Sequence, residues 1–375
     1  MKIFAMLALV SAATVAGFAV GEQDVRRIVI QNTAVFDGES QELLRDHDVL
    51  VEGRLITAVG RNLEAGDATT IDGRSYTLIP GLTDAHVHLT LIDKPEIAIF
   101  KNDWVFNGAV AAKMAEQMLM RGFTTVRDLG GPVAGLKKAI DQGLVLGPRI
   151  LPSGPLISQT SGHGDFEITD QYLAHAFPDT PSKQELFGWS FLADGVPEVT
   201  KAARLVLRTG ASQIKVMVGG GVSSPYDPLD ASQYSPEELR AIAAEAANWG
   251  TYVSVHAFTD DAANRAMDAG AKSIEHGPFL SRGTLQRMAA EGVWLSPQIF
   301  LTALTPEQLG IEGTPNGSKM AKVNENSTRV VELARELGVG IAWGTDTFGP
   351  ADLQRNQSRE FAARRQFFSD VEILR

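Results

Sequence analysis

Cysteine is absent from this 375-residue chain. That excludes disulfides, a thiolate nucleophile, an acyl-lipid anchor on cysteine and any cysteine-ligated zinc site, so a metal would have to rest on histidine and carboxylates. An excess of positive charge is lacking as well. The net charge is −11, which argues against non-specific nucleic-acid binding, because that needs positive surface to displace counterions. A small-molecule substrate, with no nucleic-acid partner, is the expectation.

Charge is also missing from residues 3–21, IFAMLALVSAATVAGFAVG, which follow Lys2 and precede the polar GEQDVRR. A basic start, an apolar stretch and small residues near Ala19 or Gly21 read as a signal peptide over residues 1–21. The run also approaches membrane-spanning length, so an uncleaved anchor is the alternative. Export is the preferred reading, to the periplasm or outside the cell, with no stable membrane span once the signal is removed.

What is present describes an ordinary globular protein: 44% hydrophobic and 21% charged residues. The runs RIVIQNTAVFDGES, HDVLVEGRLITAVG and TTIDGRSYTLIP, broken by Gly and Asp, predict short antiparallel strands and hairpins in a small β domain over residues 22–78. From residue 79 to 375 the pattern becomes strand and helix in alternation. TDAHVHL, TTVRDL, RILPSG, QIKVMV, YVSVHAF, KSIEHG, VWLSPQ and GIAWGTD read as eight strands with amphipathic helices between them. An α/β protein built on a (β/α)₈ TIM barrel is the predicted fold. Ser235-Pro236-Glu237-Glu238 and Gly250 mark one helix start and stop. The Gly-, Pro- and aromatic-rich stretch 157–194 is too long for a plain connector and is expected to fold over the barrel mouth.

His86-Val87-His88 lies on the first predicted barrel strand. Side chains two apart on a strand project to the same face, so two imidazoles face one ion. Barrel active sites gather at the C-terminal strand ends. Lys215, His256, His276 and Asp346 fall at or near the ends of the fourth, fifth, sixth and eighth strands. Taken singly, His256 or His276 could be a satisfied core histidine, Asp346 a turn cap and Lys215 half of a buried ion pair. Their coincidence on one rim points instead to a metal site. A buried ammonium facing cations would be repelled and desolvated. Reaction of the neutral Lys215 amine with carbon dioxide gives an anionic carbamate able to bridge two metals, with a bridging hydroxide as nucleophile and Asp346 as both ligand and proton shuttle.

PGLTDAHVHL, TTVRDLGG, SQTSGHGD, IKVMVGGGVSS, VSVHAF, SIEHG and GTDTFGP together resemble the amidohydrolase superfamily. They are most similar to its imidazolonepropionase-like branch, with prolidases, Xaa-Lys and Xaa-Arg dipeptidases and a fungal ochratoxin-hydrolysing amidase. The resemblance implies two divalent ions, zinc foremost, on His86, His88, carboxylated Lys215, His256, His276 and Asp346. It implies cleavage of the amide of a dipeptide or N-acyl amino acid. It also suggests that His163 points into the substrate pocket and polarises the scissile carbonyl; from sequence alone a loop hydrogen bond is equally open. Tyr226, in GGGVSSPYDP, either shapes that pocket or packs its own loop. Opening of a cyclic amide is the alternative within the class, and an inactive truncated homologue the alternative outside it.

Two departures from the pattern stand out. Phe258 occupies a position where relatives commonly carry Tyr. The chain also ends at Arg375, before the strands with which relatives complete the small domain, so an N-terminal β-sandwich lacking its C-terminal strands is expected. Its uncovered edges and apolar face leave homo-oligomerisation open.

Overall fold

Strand patterning dominates the first part of the chain in the computed structural model, which describes residues 26–166, 182–224 and 226–375. The segment read as a signal peptide lies outside the described residues. Two compact units divide at Pro80/Gly81.

In the first unit, β1 (Arg27–Val35), β2 (Leu44–Glu52), β3 (Leu55–Gly60), β4 (Thr69–Asp72) and β5 (Thr77–Leu78) make one sheet. Among the described residues it is a single mixed sheet rather than a sandwich of hairpins. β1 pairs antiparallel with β2 but parallel with β4 and β5. Between β4 and β5, Gly73 lies hard against β1: its N–H donates to the Gln31 carbonyl at 2.7 Å, and a Cβ there would lie only 2.6 Å from Thr33 Cβ.

The second unit alternates strand and helix. β6 (Leu82–Val87), β7 (Phe123–Asp128) and β8 (Arg149–Pro152) form a three-stranded parallel sheet. β9 (Leu156–Ser158), β10 (Ser190–Leu192), β11 (Ile214–Met217), β12 (Val253–Ala257), β13 (Ser273–His276) and β14 (Trp294–Ser296) form a six-stranded one in the order β10-β9-β11-β12-β13-β14. The longer helices, of eight residues or more, are α1 (Trp104–Met120), α2 (Ala134–Asp141), α3 (Val196–Arg208), α4 (Pro236–Asn248), α5 (Asp260–Asp268), α6 (Arg282–Glu291) and α7 (Pro315–Glu336). Every residue of β11 and β12 is buried, as expected of parallel strands covered on both faces. Ile214, Val255, Ile274 and Leu295 join Val206, Ile242 and Leu285 from the helices in the main core. Ser235 and Glu238 close a reciprocal capping box on α4, and Gly250 adopts φ 69° just beyond its end. No described helix is long and apolar enough to cross a membrane.

The architecture is of TIM-barrel type, but the ring of strands does not close as the eight-strand reading predicts. The segment GIAWGTD is not a regular strand. It bridges β14 through Leu295 and Ile341, while Ala85 donates to the Trp343 carbonyl on the β6 side. Its glycines explain the irregularity. A Cβ on Gly340 would sit 3.0 Å from the Trp294 ring, and one on Gly344 2.5 Å from Ser296 Oγ and 2.9 Å from His86 Cβ. The backbone is drawn in against its neighbours instead of running in ladder register. Of the stretch expected to cover the mouth, 167–181 lies outside the described residues, and its flanks pair as β9 and β10.

Candidate metal centre

His86 is the penultimate residue of β6 and His88 lies just beyond its end, both facing Asp346. His86 Nε2 lies 3.4 Å and His88 Nε2 3.2 Å from Asp346 Oδ1, and His276 Nδ1 is 3.9 Å from Oδ2. Asp346 is aimed by a left-handed backbone (φ 50°) and by its own N–H, which donates to the His86 carbonyl at 2.7 Å. Ladder register sets the others: Met217 pairs with His256 and Ala257 with His276. The ring centroids of His86 and His276 are 5.1 Å apart, and those of His256 and His276 4.5 Å apart. Lys215 is buried in the middle of β11, and its ammonium makes no ion pair among the described residues. All six line the floor of one cavity of about 600 Å³.

Proton bookkeeping tests whether this floor suits a cation. His86 Nδ1 donates to Glu275 Oε2 at 2.9 Å, and His88 Nδ1 leans on the Gly130 carbonyl at 3.4 Å. Each ring therefore turns Nε2 toward Asp346 Oδ1, a buried oxygen with no satisfied hydrogen bond among the described residues. The His86, His88 and Asp346 ligand atoms lie within 4.8 Å of one another. Three converging acceptors repel one another unless a cation sits among them, and the donor set suits a divalent ion taking nitrogen and oxygen.

Charge states agree for three of the four rings. Burial lowers His86 to about 4 and drives His256 and His276 well below the ordinary histidine range, so these rings are neutral and able to act as ligands. His88 differs: burial works to lower it, but the adjoining Asp346 carboxylate raises it above the ordinary histidine value, a positive charge that a bound cation would replace. Burial works to raise Asp346, but the imidazoles of His86, His88 and His276 hold its carboxyl well below the usual range. Burial lowers Lys215 to about 8 against the pull of Glu275 and Asp346, which brings its neutral amine within reach.

His163 lines the same cavity and stacks on His256, with ring centroids 4.0 Å apart. Phe258 is buried against His256 on the cavity wall. Tyr226 is 43% exposed and is not among the lining residues.

Sequence reasoning missed the residues that hold the ligands. Buried Glu275 accepts from His86, Arg127, Ser254 and Ser273. Burial opposes its charge, yet Arg127 and His86 hold it well below the ordinary carboxylate range. Asp84 accepts from the His86 and Thr345 backbone N–H groups, Thr345 Oγ1 and Gln357 Nε2. The signal was available: Arg127 in TTVRDL and Glu275 in SIEHG are opposite charges inside predicted barrel strands, where burial forces them to pair.

Comparison with known proteins follows the same lines. The Amidohydrolase family model matches residues 77–364. Ochratoxinase of Aspergillus niger is 30% identical over 362 residues, covering 90% of this chain and 72% of that protein. Among solved structures, a prolidase complexed with N-methylphosphonate-L-proline is 34% identical with a TM-score of 0.85, over 92% of this chain and 84% of that one. A Xaa-Pro dipeptidase with methionine bound in its active site is 29% identical with a TM-score of 0.82, over 93% and 86%.

Proposed function

The chain belongs to the amidohydrolase family and is a hydrolase acting on carbon–nitrogen bonds, and from that premise we propose that it cleaves the amide of a dipeptide or an N-acyl amino acid. Two divalent ions, zinc foremost, are held by His86, His88, Lys215, His256, His276 and Asp346 in this reading. When bound, such ions polarise the scissile carbonyl and make water a stronger acid. The observation that carries the proposal is the meeting of His86 Nε2, His88 Nε2 and the unpartnered Asp346 Oδ1 at the cavity floor.

The chain's own groups divide the remaining work. The neutral Lys215 amine bonds to carbon dioxide, releasing one proton, and the carbamate presents one negative charge shared over two oxygens where an ammonium would repel cations. Asp346 takes the proton that attacking water gives up and passes it to the leaving nitrogen, so that the amine departs neutral. His163, which stacks on His256 and lines the same cavity, contacts the substrate in this reading.

The cavity wall narrows the substrate. Phe166, Trp189, Phe258, Ile311, Met320 and Phe348 make it apolar, and among the described lining residues Glu96 is the one carboxylate besides Asp346. A buried cationic side chain would need a paired anion. An apolar acyl group or Xaa-Pro dipeptide is therefore favoured over Xaa-Lys and Xaa-Arg. The named relatives, an ochratoxinase and prolidases, fit that preference. The test is a library of dipeptides and N-acyl amino acids with metal analysis of the same sample. About two equivalents of metal and chelator-sensitive cleavage of apolar members are expected; soluble protein without metal or turnover overturns the reading.

A further inference from the structure

His163 is enclosed by glycines that leave its ring one place to lie. A Cβ on Gly221 would fall 2.1 Å from His163 Cε1, and one on Gly162 2.6 Å from Ser158 Oγ. On Gly220 it would meet the Pro228 carbonyl at 1.7 Å and Asp227 Oδ2 at 3.2 Å. The glycines of SGHGD and VGGGVSS thus make room for an imidazole beside a carboxylate. The His163 backbone N–H is pinned by Gln233 Oε1 at 3.2 Å.

The hydrogen bonds around the ring fix its protons. Asp227 Oδ2 accepts from the Gly221 N–H at 2.7 Å and faces His163 Nδ1 at 3.2 Å. Ser224 Oγ donates its single proton to Asp227 Oδ1, so toward His163 Nδ1, at 2.8 Å, it offers only a lone pair. Both atoms facing Nδ1 are therefore acceptors, and Nδ1 must carry the hydrogen. The other nitrogen, Nε2, is 3.5 Å from Ser223 Oγ, a residue of the cavity wall. Burial works to raise Asp227, but His163, Ser224 and Lys319 keep its carboxyl below the usual range, in the form that accepts on both oxygens. Lys319, on α7, fastens the loop from behind by donating to the carbonyls of Gly221, Ser224 and Asp227 at 3.0, 3.1 and 2.7 Å.

We propose that Asp227 is the positioning residue for His163: it holds the ring in its Nδ1–H tautomer and directs Nε2 into the substrate cavity. Nε2 is then the working atom. It is the acceptor of that tautomer, presented to the substrate. The inference rests on the cavity being the amide-binding site, but its structural half is measurable without any substrate.

The test is nitrogen NMR of protein labelled with ¹⁵N-histidine, with His163 assigned from a His163→Asn variant, beside steady-state kinetics on Asp227→Asn and Asp227→Glu. In the unaltered protein the neutral His163 ring should show a protonated, pyrrole-type Nδ1 and a pyridine-type Nε2. Asparagine can turn its NH₂ toward Nδ1, so Asp227→Asn should invert or mix the tautomers. It should also lower kcat about 10- to 100-fold at unchanged metal content, the range typical of a lost orienting partner. Asp227→Glu, which keeps the acceptor, should recover part of both signals. An Nε2–H tautomer in the unaltered protein overturns the proposal, as does an Asp227→Asn protein with the tautomer and kcat unchanged. The NMR result decides even where Asp227→Asn folds poorly or no amide is turned over, and that last outcome counts against the proposed activity alone.

Discussion

Glu275 Oε2 accepts the Nδ1 proton of His86 at 2.9 Å while its other oxygen is held by Arg127 at 2.7 Å. One buried carboxylate thus sets the tautomer of a candidate metal ligand and neutralises a guanidinium from another strand. Glu275→Gln removes the charge and offers Nδ1 an amide that can donate as well as accept. Metal affinity should fall about 10- to 100-fold. Leaving Arg127 unpaired should cost up to about 3–5 kcal/mol of stability. Chelator competition and thermal melts measure the two losses separately, and unchanged affinity would remove Glu275 from the account.

Asp346→Asn keeps an oxygen near His86 and His88 but cannot shuttle a proton. Metal content should stay largely intact while kcat falls by about 10²- to 10⁴-fold. Near-normal turnover would sink the shuttle role.

Lys215→Ala removes the amine that carbon dioxide would modify. Metal and activity should both be lost, and acetate or propionate should restore part of each by lending the missing carboxylate. Retained metal without any effect of added carboxylate would refute the carbamate.

Gly344→Ala tests how closely the eighth segment presses on the site. Its Cβ would lie 2.9 Å from His86 Cβ and 3.2 Å from the His86 backbone nitrogen, neither of which is a flexible end. Overpacking of this kind costs about 1–3 kcal/mol. The melting temperature should drop and metal should bind less tightly, because His86 is the atom group displaced. A variant with normal stability and normal metal content would mean the backbone relaxes freely here.

The residues legible in the sequence are those whose role follows from a period. His86 and His88 share a strand face because the strand repeat is two, and Ser235 with Glu238 announces α4 because the capping box has a fixed spacing of three. Lys215 stands out as the one polar residue in a strand that is otherwise apolar, and His256 and His276 as histidines at or near the ends of predicted barrel strands. What escaped has no period. Glu275 serves His86 from 189 positions away, and Asp227 reaches His163 only because glycines bend two loops together. The eighth segment read as a strand because Ile341, Ala342 and Trp343 are apolar; Gly340 and Gly344 decide otherwise through contacts with Trp294 and His86.

Residues 84–86 and 345–346 are bound to each other through the Asp84 side chain and the Asp346 N–H, although about 260 positions separate them along the chain. Two candidate ligands from opposite ends of the domain, His86 and Asp346, are therefore tied directly to each other. The cavity wall hangs from other segments, those around Phe166, Val222 and Ile311. Mutation can reshape the wall without detuning the pair, so a lineage carrying this arrangement is free to change which amide it accepts while keeping the chemistry it performs.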